Sequence, residues 1–110
     1  METSILTSIK KLLGIDKEYT VFDTDLIIHI NTAFFTLNQL GIGSSDGFSI
    51  SDDTSEWEDF LEDRKDLEAV KTLVYLKTRL VFDPPQSGFL IDAINKQITE
   101  LEWRINIQGG

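Results

Sequence analysis

No cysteine occurs in the 110 residues, which excludes a disulfide framework, thiol redox chemistry and a zinc-finger site. Histidine occurs once, at His29, and a lone imidazole cannot build a metal centre without carboxylates brought in from elsewhere. His29 therefore reads as a surface imidazole with Asp25 one turn before it. No apolar run approaches the roughly 20 residues that span a bilayer, and the opening METSILTSIKKLLG lacks the basic, apolar, small-residue order of a signal peptide. A soluble chain made in a cytoplasm, with no membrane partner, is the expectation. Positive charge is also short, with ten Lys and Arg against nineteen Asp and Glu, for a net −9. Gripping nucleic-acid phosphates needs clustered Lys and Arg, so DNA can pass near this chain without being held.

What remains is a globular composition, 41% hydrophobic and 10% aromatic, at a length that makes one domain over residues 1–110. The acidic excess is concentrated. Between Asp46 and Glu68 stand ten acids against Arg64 and Lys65, which leaves a balance of −1 for the rest. Asp46, Asp52, Asp53 and Glu56 open this segment. They read as a solvated loop, or as a surface facing a basic partner or lining a DNA passage.

Proline occurs twice, side by side at Pro84 and Pro85. Each locks its own φ and lacks an amide donor, and the first pushes Asp83 out of the helical region, so two periodic segments must stop and restart here. Before the corner, Val70, Leu73, Val74, Leu76, Leu80 and Val81 give a helix from about Leu67 to Val81. After it, Ile91, Ile94, Ile98, Leu101 and Ile105 alternate in steps of three and four, giving a helix from about Ser87 to Ile105 with a coiled-coil-like seam. Gly109 and Gly110 should fray.

Upstream, Ile5, Leu6, Ile9, Leu12 and Leu13 predict a short helix from Thr3 to Leu13, closed by Gly14 in the left-handed region. Asp23 or Thr24 can cap a second helix to about Leu40, with Leu26, Ile27, Ile30, Ala33, Phe34 and Leu37 as its core stripe. From Gly41 to Ser55 the composition is that of a long loop, with room for an extended piece at Phe48 to Ser51. Ser55 then offers an N-cap for a short acidic helix, Glu56 to about Glu62, anchored by Trp57. The fold class is all-α, a small bundle of about five helices with a long acidic loop between the second and third.

No catalytic set emerges, so no enzyme activity and no cofactor are expected. The acidic loop lacks the ligand spacing of an EF-hand, and GIGSSDG lacks the lysine and flanking strand of a phosphate loop. More telling are apolar residues outside the core stripes: Ile28 and Phe35, Tyr75 and Phe82, and Trp103. Together they predict a second buried face, formed with copies of the chain or with a partner.

The set Tyr75, Lys77, Arg79, Leu80, Phe82, Asp83, Pro84, Pro85, followed by Phe89, Ala93, Ile94, Gln97, Ile98 and Glu100 to Arg104, resembles the C-terminal half of head-tail connector proteins of tailed bacteriophages and prophages of Gram-positive hosts. The likeness is closest over Leu67 to Ile107, and the N-terminal half agrees in length, its two helices and its acidic loop. The resemblance implies a non-enzymatic virion protein of the neck. It would dock as a homo-oligomeric, dodecameric ring beneath the portal vertex, extend the DNA channel and present a surface to a head-closure or tail protein. On that reading Ile28, Phe35, Tyr75, Lys77, Arg79, Trp103 and Arg104 are candidate subunit or portal contacts, with Lys77 and Arg79 as exposed charges. Phe82, Asp83, Pro84 and Pro85 set the helix corner. A stopper or tail-completion protein, or a small acidic phage regulator binding a host protein, are the alternatives.

Overall fold

The computed structural model describes residues 4–41, 47–60 and 67–109. Among them run five helices and no strand: α1 (Ile5–Leu13), α2 (Asp23–Gln39), α3 (Trp57–Phe60), α4 (Leu67–Phe82) and α5 (Gly88–Gly109).

Helix α1 begins two residues later than its periodicity predicts, because Ser4 is the cap. Its hydroxyl accepts the Thr7 amide at 3.2 Å, and its extended backbone cannot join the helix. The end falls as expected: Gly14 has φ 82°, and the amides of Gly14 and Ile15 close on the carbonyls of Lys11 and Lys10 at 3.1 and 2.8 Å. Helix α2 starts at Asp23 without a side-chain cap, since Phe22 holds the N-cap position. Asp23, one of the two predicted caps, is committed to an ion pair instead.

At the proline corner, the Asp83 amide closes on the Arg79 carbonyl at 2.9 Å, so α4 continues one residue past Val81. Ser87 then caps α5, its carbonyl taking the Ile91 amide at 3.1 Å. That helix runs four residues beyond Ile105 and includes Gly109, which was expected to fray; Gly110 lies outside the described residues.

Helix α3 starts at Trp57 rather than at Glu56 and is described through Phe60, its predicted end near Glu62 lying outside the described residues. Glu56 instead forms an isolated bridge with Ser4, and the Ser55 carbonyl takes the Ile5 amide at 3.0 Å. Of the predicted loop only residues 41 and 47–55 are described, and they hold no strand at Phe48 to Ser51. The backbone there is satisfied by a side chain: Asn31 accepts the Ile50 amide at 2.7 Å and donates to the Ile50 carbonyl at 2.9 Å.

Helix α4 is the centre of the bundle, packed against both α2 and α5, while α2 and α5 scarcely meet. Val70, Leu73, Val74 and Leu76 are buried between Leu26, Ile30, Ala33, Phe34 and Leu37 of α2 and Ile94, Ile98 and Ile105 of α5. Ile5, Leu6 and Ile9 of α1 close one end of this core. Each of these side chains other than Ala33 contributes about 1.5–3 kcal/mol by leaving water. Phe34 is the aromatic hub, with ring centroids 4.5 Å from Phe60, 5.0 Å from Phe48 and 6.2 Å from Trp57. Trp57 is buried as predicted, and its indole donates to the Ser8 hydroxyl at 3.1 Å. Two residues of the predicted stripes, Leu12 and Val81, are exposed instead.

Candidate interaction surfaces

Because α2 has only one core-facing stripe, any apolar residue on its opposite side must stand in solvent. Ile28 is 56% exposed and Phe35 62% exposed, two turns apart on that outer side. Trp103 on α5 is 64% exposed. These three were predicted to lie outside the core stripes, and they do. Tyr75 and Phe82 differ, being half-buried against the core. Phe82 meets Phe22 edge to face with centroids 5.3 Å apart, which joins the helix corner to the connection between α1 and α2. Pro85 is half-buried beside this corner, and Asp83 and Pro84 are exposed.

The charged candidates are less available than the sequence indicates. Lys77, expected as an exposed charge, is half-buried and pairs with Glu102 of α5 at 2.9 Å. The angle set by the proline corner brings these two together across the α4–α5 seam. Arg79 is likewise half-buried and donates to the Tyr75 hydroxyl at 3.4 Å. Arg104 is exposed and pairs with Glu100 at 2.6 Å, one turn back on its own helix.

Of the acidic candidates, Asp52, Asp53 and Glu56 are exposed, and Asp46 lies outside the described residues. Asp52 accepts the Thr54 hydroxyl at 2.5 Å and the Thr54 amide at 2.9 Å. These two bonds favour its ionised form and hold its pKa below the ordinary 3.8.

Between α2, α4 and α5 runs a groove of about 280 Å³, lined by His29, Thr32 and Thr36 on one side, Lys77 on its floor and Asn95 on the other. Its chemistry is largely spent. The Thr32 and Thr36 hydroxyls donate to carbonyls of their own helix at 3.0 and 3.1 Å, and Glu102 neutralises Lys77. His29, expected at the surface, is half-buried with its ring 6.5 Å from that of Phe82. Among the described residues no cluster of His, Asp and Glu could hold a metal ion. No helix there is long and apolar enough to cross a membrane.

Sequence reading missed two polar features. Lys10 is 2% exposed, and its ammonium sits among the Lys17 carbonyl at 3.0 Å, the Tyr19 carbonyl at 2.8 Å and Asp23 Oδ1 at 2.8 Å. A signal was present, since Lys10 interrupts the apolar stripe of Leu6, Ile9 and Leu13. The other is Thr78, fully buried on α4, whose hydroxyl has no hydrogen-bond partner among the described residues.

A helical bundle that exposes Ile28, Phe35 and Trp103 on two of its helices carries apolar surface of the kind that assembly contacts cover. The chain belongs to the phage connector protein family, whose model matches residues 5–110. It is a structural connector protein of a bacteriophage, acting through contact with other structural proteins of the particle. No curated protein and no solved structure matches it.

Proposed function

We propose that copies of this chain assemble as a ring, dodecameric in the particle, on the portal vertex of a tailed phage or prophage. The ring extends the DNA channel and joins the head to a head-closure or tail protein in the virion neck. The observation that carries this reading is the exposure of large apolar side chains on separate helices of a connector-family chain. A ring subunit needs two different patches, because head-to-tail contacts close a circle only when unlike surfaces meet. The acidic excess suits the passage: a wall of carboxylates repels phosphate, so DNA slides rather than sticks.

Electron microscopy of lysates from a phage with a stop codon in this gene tests the proposal, together with mass spectrometry of wild-type virions. Separate heads and complete free tails, with the chain present in wild-type particles, are expected. Heads and tails still joined, with the chain in the particle, would assign it to another virion position. Normal virions lacking the chain would favour a small acidic regulator.

A further inference from the structure

Four residues before each buried isoleucine of α5 stands another large aliphatic side chain. Ile94, Ile98 and Ile105 are buried, and Leu90, Ile94 and Leu101 precede them by one turn. A four-residue slide of α5, about 6 Å along its axis, therefore seats leucine or isoleucine at every buried place. Two half-buried places lose an apolar residue, where Gln97 and Ser87 replace Leu101 and Ile91. One gains an apolar residue, where Ile98 replaces Glu102. The linker allows the slide in one direction. Lys77 lies five residues before the end of α4 and Glu102 fourteen after the start of α5, about 7.5 and 21 Å along the two axes. Helices packed side by side through a short linker run antiparallel, so the Lys77 to Glu102 contact leaves the first turns of α5 projecting past the end of α4. Phe89 and Leu90, both exposed, stand on that projection. Sliding α5 back over α4 shortens the gap that residues 83–87 bridge.

We infer that Lys77 and Glu102 form a register latch, which holds α5 in one of two registers that its apolar seam fits. Apolar contacts are non-directional, and a seam that repeats every turn is satisfied again one turn along. A half-buried charge pair is satisfied at one register only, and fixing register is the best-attested use of such pairs. The slide brings Ile98 opposite Lys77 and carries Glu102 one turn away. Among the described residues no other ion pair joins α4 to α5, and α2 scarcely meets α5, so nothing else polar resists the slide. One-turn shifts of one packed element past another are a known mode of conformational change. Phe89 and Trp103 ride on α5, so the latch decides where both stand along the bundle. The inference concerns a single chain and stands apart from the ring reading.

The absence of native cysteine makes the test direct. Glu68→Cys on α4 and Thr99→Cys on α5 place nitroxide labels at exposed positions, and the slide moves Thr99 to the equally exposed place of Trp103. Pulsed electron paramagnetic resonance reads the distance between them in the full-length chain, diluted into unlabelled chain. With the native pair one distance is expected. Lys77→Met leaves Glu102 unpaired in the observed register and suits Ile98 in the other, so a second distance should appear, shorter by up to about 6 Å. Adding Gln97→Leu, which fills a half-buried place only after the slide, should enlarge it. Exchanging the charges, Lys77→Glu with Glu102→Lys, should restore the single native distance. An unchanged distance in both Lys77→Met chains overturns the proposal, as do two distances already present in the native chain or kept after the charge exchange. If Lys77→Met alone loses its helical circular dichroism, the chain with Gln97→Leu decides: recovered helix with the shorter distance upholds the latch, and continued unfolding overturns it. The virion role is judged separately, by the microscopy of lysates.

Discussion

Lys10 Nζ stands 2.8 Å from Asp23 Oδ1, and the side chain that carries it is 2% exposed. The pair ties the end of α1 to the start of α2, and the carbonyls of Lys17 and Tyr19 complete the ammonium's shell. Removing one partner leaves the others desolvated, which costs more than the intact pair contributes. Lys10→Met keeps the aliphatic stem and deletes the donor. It should lower unfolding stability by roughly 2–4 kcal/mol, discounted because Asp23 is 27% exposed. Urea denaturation measures this, and a loss under about 1 kcal/mol would show that water replaces the ammonium.

Asn31 substitutes for a strand partner at Ile50, using both its carbonyl and its amide. Asn31→Ala should cost about 1–3 kcal/mol by orphaning two backbone groups beside the core. The Ile50 amide should also exchange with deuterium faster than in wild type. Unchanged protection would mean that Phe48, Trp57 and Phe60 hold the segment without the amide.

Trp57→Phe removes the indole donor to Ser8 and part of the packing on Phe34. A loss of about 1–3 kcal/mol is expected. Pairing it with Ser8→Ala separates the two terms: if the hydrogen bond matters, the double variant loses less than the sum of the singles. Strict additivity would assign the whole effect to packing.

Phe35→Ser and Trp103→Ser leave the core untouched, so stability should stay within about 0.5 kcal/mol of wild type. Self-association should nevertheless weaken about tenfold or more for each. Sedimentation velocity over a concentration series decides it, and wild-type association by both variants would remove these side chains from the interface.

Asp52 offers a pH dependence whose sign is fixed. Its folded pKa is depressed by the Thr54 hydroxyl and then by the Thr54 amide. The stabilisation is therefore fully present above the ordinary Asp value and is lost as pH falls through the lowered folded value. Carboxyl-carbon NMR should show Asp52 titrating below the ordinary 3.8, and Thr54→Ala should raise its midpoint toward that value. No change on substitution would mean that the hydroxyl bond is not kept in solution.

Local rules carried the helix architecture. Gly14 ended α1, the two prolines forced the restart, and the Ile94, Ile98, Ile105 seam lies buried against α4. Periodicity marks which side of a helix is apolar, but not whether another element arrives to cover it. Val81 and Leu12 were therefore misplaced. The polar contacts were invisible for a related reason. Lys10 with Asp23, Asn31 with Ile50 and Lys77 with Glu102 join residues on separate elements, and pairing them requires the packing angles first. Ile28, Phe35 and Trp103 were legible as surplus because α2 and α5 already had complete core stripes.

Helix α4 has mechanical meaning as well as thermodynamic meaning. With α2 and α5 scarcely touching among the described residues, a tug on one reaches the other mainly through α4. The buried cluster that holds Leu73, Val74 and Ile98 behaves as a stiff rivet, since close-packed interiors compress little. If copies close into the proposed ring, hoop tension would pass through these hydrophobic centres, and trimming a methyl group inside the protein would loosen the collar as a whole.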